Sequence, residues 1–348
     1  MRARELGIVI GQLDPGPLNA ITDVPGTRVG HTTLIDGGYV RTGVTVVVPG
    51  ELPVFAAPFR LNGNGEMTGL AWVRESGLLT TPIGLTNTHS VGAVHEALVA
   101  AAVERDRSTW SLPVVAETWD GVLNDVNGFH VRPEHARAAL TSATGGPVAE
   151  GNVGSGTGMI CHGFKGGIGT SSRVAGDWTV GVLVQANHGA RGRLDISGVP
   201  VGRLLGPDRI PLPPRRPIEE GAGSIIVLVA TDAPLLPHQC ARLATRAALG
   251  IGRTGGAGEN GSGDLALAWA TGNASLETGQ PAGLTMLPND GMNLLFYATI
   301  EATEEAIVNS LVAAETMTGK NGATAHRLDH DLLVEVLRTR IRAERSSL

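Results

Sequence analysis

Gly223-Ser-Ile-Ile-Val-Leu-Val-Ala-Thr231 is an unbroken apolar run that opens on a serine and follows a glycine. A short apolar run without polar alternation reads as a strand buried on both faces, the inner strand of a covered sheet. Val44 to Val48, bounded by Gly43 and Pro49-Gly50, has the same character, as does Val180 to Val184; Leu265 to Ala270 is a weaker example. Between these runs the pattern changes to helical. Val94 to Glu104 is rich in Ala, Leu and Glu, and Met292 to Met317 is long and alanine-rich. Leu236, Cys240, Leu243 and Ala247 recur at helical spacing, with Asp232 and Pro234 as cap and start, and Leu333, Val336, Leu337 and Ile341 mark a last helix. Strands before, between and among helices predict a layered α/β or α+β fold.

The segment leading into the decisive run, Leu205 to Gly223, carries Pro207, Pro211, Pro213, Pro214 and Pro217 and then Glu219-Glu220-Gly-Ala-Gly. Prolines at that density forbid a helix and predict an exposed, extended segment, either a domain boundary or a cleavage site. No internal repeat is present.

Composition narrows the classes. Of 348 residues, 42% are hydrophobic and 17% charged, ample for a packed core. Aromatics make up 3% and glycines number 49, so the core must be filled by aliphatic side chains and close backbone approach. The formal charge is -6 and no basic stripe with interleaved aromatics exists, which argues against a nucleic-acid partner. Arg338, Arg340, Arg342 and Arg345 suit the last turns of a helix. Cys161 and Cys240 are the only cysteines, too few and too far apart for a disulfide framework or a CxxC zinc site. The apolar run Leu6 to Ile10 is too short for a secretory signal or a membrane span. A soluble, cytoplasmic protein with no membrane partner is the expectation.

A glycine followed by a serine at the first position of a buried strand is what intramolecular self-cleavage needs. Attack of the Ser224 hydroxyl on the Gly223 carbonyl gives an ester, and water then frees Ser224 as a new N-terminus. Its α-amine, with a pKa of about 8, can serve as a base near neutrality. On its own the tetrapeptide is equally a turn before a strand. Asn260-Gly-Ser-Gly-Asp264 places Ser262 and Asp264 on one extended stretch with both side chains to the same side, yet alone it is equally a glycine-rich turn. Gly250-Ile-Gly-Arg-Thr-Gly255 matches GxGxxG but follows a helix, the wrong context for a dinucleotide, and Gly151 to Gly158 lacks the Gly-Lys-Ser/Thr of a phosphate loop. The ten histidines show no metal-binding spacing, and His188 is read as structural.

Read together, Gly223 to Gln239, Asn260-Gly-Ser-Gly-Asp264, Val184-Gln-Ala-Asn-His-Gly189, Ala116-Glu-Thr-Trp-Asp-Gly-Val-Leu-Asn-Asp125, Asn62-Gly-Asn-Gly-Glu66 and Gly151 to Met159 run through nearly the whole chain in one order. In these blocks the sequence resembles the DmpA-type aminopeptidases, a family that includes the β-peptidyl aminopeptidases. The resemblance implies an α+β four-layer αββα sandwich of the DmpA/ornithine-acetyltransferase-like type. It also implies one catalytic domain over 1–348, self-cleaved between Gly223 and Ser224 into 1–223 and 224–348. Ser224 matches the nucleophile, Ser262 and Asp264 a serine and a carboxylate that complete the catalytic set, and Asn187 an oxyanion-hole residue. Glu117 matches an acid that binds the substrate's amino group. At Trp119 a family member has tyrosine; an indole can donate but not accept, so Trp119 is read as a pocket wall. The implied activity is removal of N-terminal residues from short peptides, amides or esters, by a homotetramer needing no metal or organic cofactor. The alternatives are a β-peptidyl or nylon-oligomer-type hydrolase, an acyltransferase of the related ornithine-acetyltransferase group, and a catalytically silent binding protein on the same fold. The acyltransferases and nylon hydrolases use threonine where this chain has Ser224.

Overall fold

A computed structural model describes residues 1–214, 223–273, 276 and 281–345. Along the chain, β1 (Arg28–Asp36) and β2 (Val40–Val48) form a hairpin, and β3 (Val54–Gly63) leaves for a second sheet. There it pairs with β4 (Leu78–Leu79), which follows α1 (Leu70–Ser76). β5 (Ile83–Asn87) rejoins the first sheet, and α2 (Val91–Arg105) crosses over to β6 (Val114–Thr118), parallel to β5. α3 (Pro133–Thr141) and a ribbon of β7 (Ile160–Cys161) and β8 (Phe164–Lys165) precede the hairpin β9 (Gly167–Ala175) and β10 (Trp178–Asn187). After the short α4 (Val201–Leu204), β11 (Ser224–Thr231) and β12 (Gly263–Ala270) lie parallel, joined by α5 (Pro237–Arg253). α6 (Met292–Val312), a ribbon of β13 (Met317–Thr318) and β14 (Thr324–Ala325), and α7 (His330–Arg345) complete the described elements.

The sheets have strand orders β1-β2-β5-β6 and β4-β3-β12-β11-β10-β9. Side-chain alternation divides every inner strand between two cores. On β11, Ile226, Leu228 and Ala230 face the other sheet, where they meet Val47, Ile83, Leu85 and Val114. Ile225, Val227 and Val229 face the opposite way, toward Cys240 and Leu243 of α5 and Leu311 of α6. On the outer side of the first sheet, Val44, Val46 and Val115 pack on Val94 and Leu98 of α2 and Ala136 and Ala139 of α3. Three apolar layers between four secondary-structure layers make the αββα sandwich. The continuous apolar runs of the sequence are therefore strands with a core on each side, as their lack of alternation implies.

The scarcity of aromatics has a structural counterpart. β12 turns Leu265, Leu267 and Trp269 toward the facing sheet but only Ala266, Ala268 and Ala270 toward the helices, so α5 sits close. Gly169 on β9 carries this further: a Cβ there would lie 1.9 Å from the Ala306 carbonyl of α6. α6 is buried along nearly its whole length, and its carboxylates are matched from outside: Arg173 reaches Glu305 at 2.6 Å and Glu301 at 3.3 Å, and Arg4 reaches Glu305 at 2.9 Å.

Several boundaries differ from the sequence expectation. α5 starts at Pro237 with Leu236 as its N-cap, and the Gln239 side chain accepts from the Leu236 N–H. Asp232 instead accepts from Thr179 N–H on β10, tying strand ends together. α6 stops at Val312, short of Met317, which enters a two-residue strand. Gly250 to Gly255 forms the end of α5 and the turn after it. The proline-rich stretch is exposed only in part over its described residues: Pro207, Asp208, Arg209, Pro211 and Pro214 are exposed, whereas Leu205, Ile210 and Pro213 are buried, and 215–222 lie outside the described residues. Both cysteines are free, and among the described residues no helix is long and apolar enough to cross a membrane.

The α6 contact gives a sharp test of the packing. Gly169→Ala, which drives a methyl into a helix carbonyl, is expected to destabilise the fold by roughly 1–3 kcal/mol. Denaturant unfolding measures this, and unchanged stability would contradict the close approach.

Candidate active site

The sandwich brings the ends of four strands together at one edge. β10 ends on Asn187 and β11 begins on Ser224, and the antiparallel register sets these two residues opposite each other. β12 begins on Gly263, which the parallel register sets beside Ser224 on the other flank. β3 ends on Gly63, opposite Gly263. Across the gap between sheets, β6 brings Glu117 to the same edge. A cavity of about 370 Å³ opens here, lined among others by Asn64, Glu117, Trp119, Asn187, Gly223 and Ser224. That size suits a small ligand.

Ser224 lines this cavity. Its Oγ donates to the carbonyl oxygen of Gly223, 2.7 Å away, and the Gly263 N–H donates at 3.1 Å both to that carbonyl and to Ser224 Oγ. The carbonyl before the serine is thus polarised by a backbone donor on the neighbouring strand. Gly223 is required by packing: a Cβ on it would lie 2.1 Å from the Asn187 carbonyl oxygen.

Ser262 and Asp264 flank Gly263. Ser262 Oγ donates to Asp264 Oδ1 at 2.6 Å, and the carboxylate also accepts from the Ile225 N–H of β11. Burial raises the Asp264 carboxyl to about 6, against the opposing pull of the Ser262 hydroxyl. Ser262 is fully buried and its hydroxyl is not hydrogen-bonded to Ser224; the link between them runs through the Gly263 backbone. The side-chain pairing expected from the Ser-x-Asp spacing is therefore present, whereas a direct Ser262–Ser224 contact is not.

Asn187 is fixed at both ends. Its Oδ1 accepts from the Ile160 N–H at 2.8 Å, and its Nδ2 donates to the Trp119 carbonyl at 2.9 Å. Those partners leave one orientation of the amide and a second Nδ2 hydrogen, on a residue that lines the cavity. Glu117 accepts from the Glu66 N–H at 3.0 Å and from the Thr88 hydroxyl. Burial lifts its carboxyl above the ordinary value, with those two hydrogen bonds pulling the other way. The Trp119 ring lies over Gly121, where a Cβ would meet it at 2.4 Å, and forms part of the wall.

Residues 19–325 match peptidase family S58. The chain belongs to that family. It is a hydrolase acting on amide bonds, with the DmpA-type variant of the Ntn-hydrolase fold. It is 49% identical to the β-peptidyl aminopeptidase BapA of Sphingosinicella microcystinivorans, over 97% of this chain and 92% of the relative. A Burkholderia sp. β-aminopeptidase superposes with a TM-score of 0.89 at 52% identity, covering 97% of this chain and 99% of the other. The L-aminopeptidase D-Ala-esterase/amidase of Ochrobactrum anthropi, described as a prototype of the serine aminopeptidases, gives 0.89 at 42% identity, covering 98% and 99%.

Several S58-family positions at this site have roles that sequence reasoning did not assign. Asn62 donates to the carbonyls of Glu259, Asn260 and Ser262, and Asn64 donates to Gly261, so the 62–66 segment holds the turn that carries Ser262. The quoted block Asn62-Gly-Asn-Gly-Glu66 contained the signal, but without a role. Pro213 and Pro214 of the proline-rich stretch line the cavity, and Thr88 reaches Glu117 from a turn with no motif.

The raised Asp264 carboxyl has a consequence for stability. A folded-state value of about 6, against about 3.9 unfolded, means ionisation costs the folded state progressively as pH rises from about 4 to above 6. Asp264→Asn keeps the acceptor for Ser262 and removes that cost. Its stability relative to wild type is expected to increase over this pH range by roughly 2–3 kcal/mol, and a pH-independent difference in urea titrations would refute the assignment.

Proposed function

We propose that the chain is made as a precursor that cuts itself between Gly223 and Ser224, and that the freed Ser224 hydrolyses the amide or ester bond next to a substrate's free amino group. The observation that carries this reading is the Ser224 hydroxyl 2.7 Å from the Gly223 carbonyl oxygen, with the Gly263 N–H on both. Rotation of the hydroxyl toward the carbonyl carbon lets Oγ attack. The C–N bond to Ser224 breaks, its nitrogen takes up the hydroxyl proton, and an ester forms. Water then splits the ester, leaving 1–223 with a new carboxylate and 224–348 with a free α-amine.

In the mature enzyme that amine is the base for its own hydroxyl. Asp264 orients Ser262 on the β12 side, and since its hydroxyl does not touch that of Ser224, the group it exchanges a proton with is the α-amine that the cut frees. The spare amide hydrogen of Asn187 stabilises the oxyanion on the β10 side, a type of contribution worth roughly 3 kcal/mol. Glu117 receives the substrate ammonium. Its burial makes that pairing strong, because a carboxylate with little water around it gains most from a cation. Trp119 walls the acyl pocket. The substrates of this reading are short peptides, amino-acid amides and esters. N-terminal β-amino residues are favoured among them by the higher identity to the β-peptidyl relatives than to the L-aminopeptidase. Assembly as a homotetramer belongs to the same reading by resemblance.

Two measurements test it. Intact mass of the freshly purified wild type is expected to show two fragments that divide before Ser224, and Ser224→Ala a single full-length chain; a wild type that stays whole, and inactive, would sink the mechanism. For Glu117→Gln, kcat/KM on β-amino-acid amides is expected to fall roughly 10- to 100-fold, with a much smaller loss on the matching des-amino acyl esters. Equal losses on both substrates would remove Glu117 from ammonium recognition.

A further inference from the structure

Near the Asn187 end of the cavity, one soft sulfur and two imidazoles meet that the hydrolytic reading does not use. Cys161 ends β7, His162 follows it, and His188 follows the last residue of β10. Cys161 Sγ lies 3.8 Å from His188 Nδ1, and the two imidazoles meet edge to face with centroids 5.2 Å apart. One donor atom from each residue lies within 4.8 Å of the other two, and all three residues are buried. His162 Nδ1 stands 3.0 Å from the Ala190 carbonyl, which can only accept; that nitrogen carries the proton and Nε2 keeps its lone pair. The Nε2 atoms of both His162 and His188 are buried without a partner. Such atoms are rare in native interiors. An imidazole oriented by a carbonyl through one nitrogen, with the other bare, as at His162, is also how proteins present histidine to a metal, and His188 turns its Nδ1 to the thiol.

We propose that Cys161, His162 and His188 form a binding site for one soft monovalent cation, Cu(I). One thiolate with two imidazoles and no carboxylate selects Cu(I) or Zn(II) over hard ions. Structural zinc takes four protein ligands, whereas three are present. Charge decides between the two. The three donors are buried, so a net charge left among them is costly. Cu(I) with one thiolate is neutral, whereas Zn(II) would add a positive charge. Lys165 does not compete, since its Nζ donates to the carbonyls of Gly156, Met159 and Gly166. Binding replaces the S–H bond of Cys161 by S–Cu and releases that proton to solvent, with no change of oxidation state. The rings lose no proton, because each imidazole binds through the lone pair of its unprotonated nitrogen. His188 and Gly163 border the cavity, which gives the ion a path in.

The site would also clamp the oxyanion amide. Ile160 N–H holds Asn187 Oδ1, and the next residues along each strand, Cys161 and His188, become ligands of one ion.

The test uses the full-length protein as purified, loaded anaerobically with the acetonitrile complex of Cu(I) and dialysed against a weak Cu(I) chelator. Metal per chain is read by mass spectrometry, and thermal unfolding is followed with and without the ion. Wild type and Cys240→Ala are expected to retain one copper per chain and to unfold at higher temperature when loaded. Cys161→Ala and His162→Gln, each checked for native circular dichroism, are expected to retain roughly tenfold less or lower still, with no thermal shift. Should one of these two fail to fold, the other decides. No copper kept by the wild type, equal retention in Cys161→Ala or His162→Gln, or loss in Cys240→Ala would each overturn the proposal. Retention of Zn(II) but not Cu(I) under the same dialysis would overturn the choice of ion.

Discussion

The site depends on the position of one strand. β11 lies between the end of β10 and the start of β12, and the backbone pairing that holds it there sets Asn187 and Gly263 on either side of Ser224. A slip of one residue would turn Ser224 to the other face of the sheet and exchange the two cores that β11 divides. Because Ile226 and Leu228 fill one core while Val227 and Val229 fill the other, the apolar side chains that build the fold also fix the chemistry's geometry. Stability and site geometry are enforced by the same contacts.

That coupling explains why the glycines matter where they do. Gly223 passes so close to the Asn187 carbonyl that a methyl could not be accommodated, and Gly263 abuts the Asn64 carbonyl, 2.5 Å from where its own Cβ would be. Between them they let three backbones converge on the Ser224 hydroxyl. Backbone donors are well suited to such a place, since they are already fixed by the sheet and need little reorganisation as charge develops.

How much of this was legible beforehand follows from sequence separation. β11 was plain from its own composition, and α2 from its Ala-rich pattern, because local periodicity carries them. The Ser262–Asp264 hydrogen bond was also readable, since two residues i and i+2 on an extended stretch share a side. The start of α5 was misplaced because Asp232 and Pro234 resemble a cap and start; Asp232 is engaged by β10 instead. The fastening of the 259–263 turn by Asn62 and Asn64, and the meeting of Cys161 with His188, join residues far apart in the chain. Only the strand pairing brings them together, and no spacing rule reports it. The proline-rich stretch misled in another way. Its composition says non-helical, which holds over the described 205–214, but says nothing about which residues turn to solvent and which lie along a cavity wall.

The place of β11 and β12 within the six-stranded sheet bears on the state of the molecule after any cut before Ser224. Both strands would belong to the shorter piece, yet they sit in the middle, with β3 on one side and β10 and β9 on the other, all from the longer piece. The pieces could not part without dismantling the sheet, so a nicked molecule would behave as one body. Its refolding would be another matter. What had been a unimolecular search would become an encounter between two chains, dependent on dilution and exposing unpaired strand edges while it waited. Synthesis as one polypeptide would then act as a scaffold used once, and unfolding after the cut would in practice be one-way.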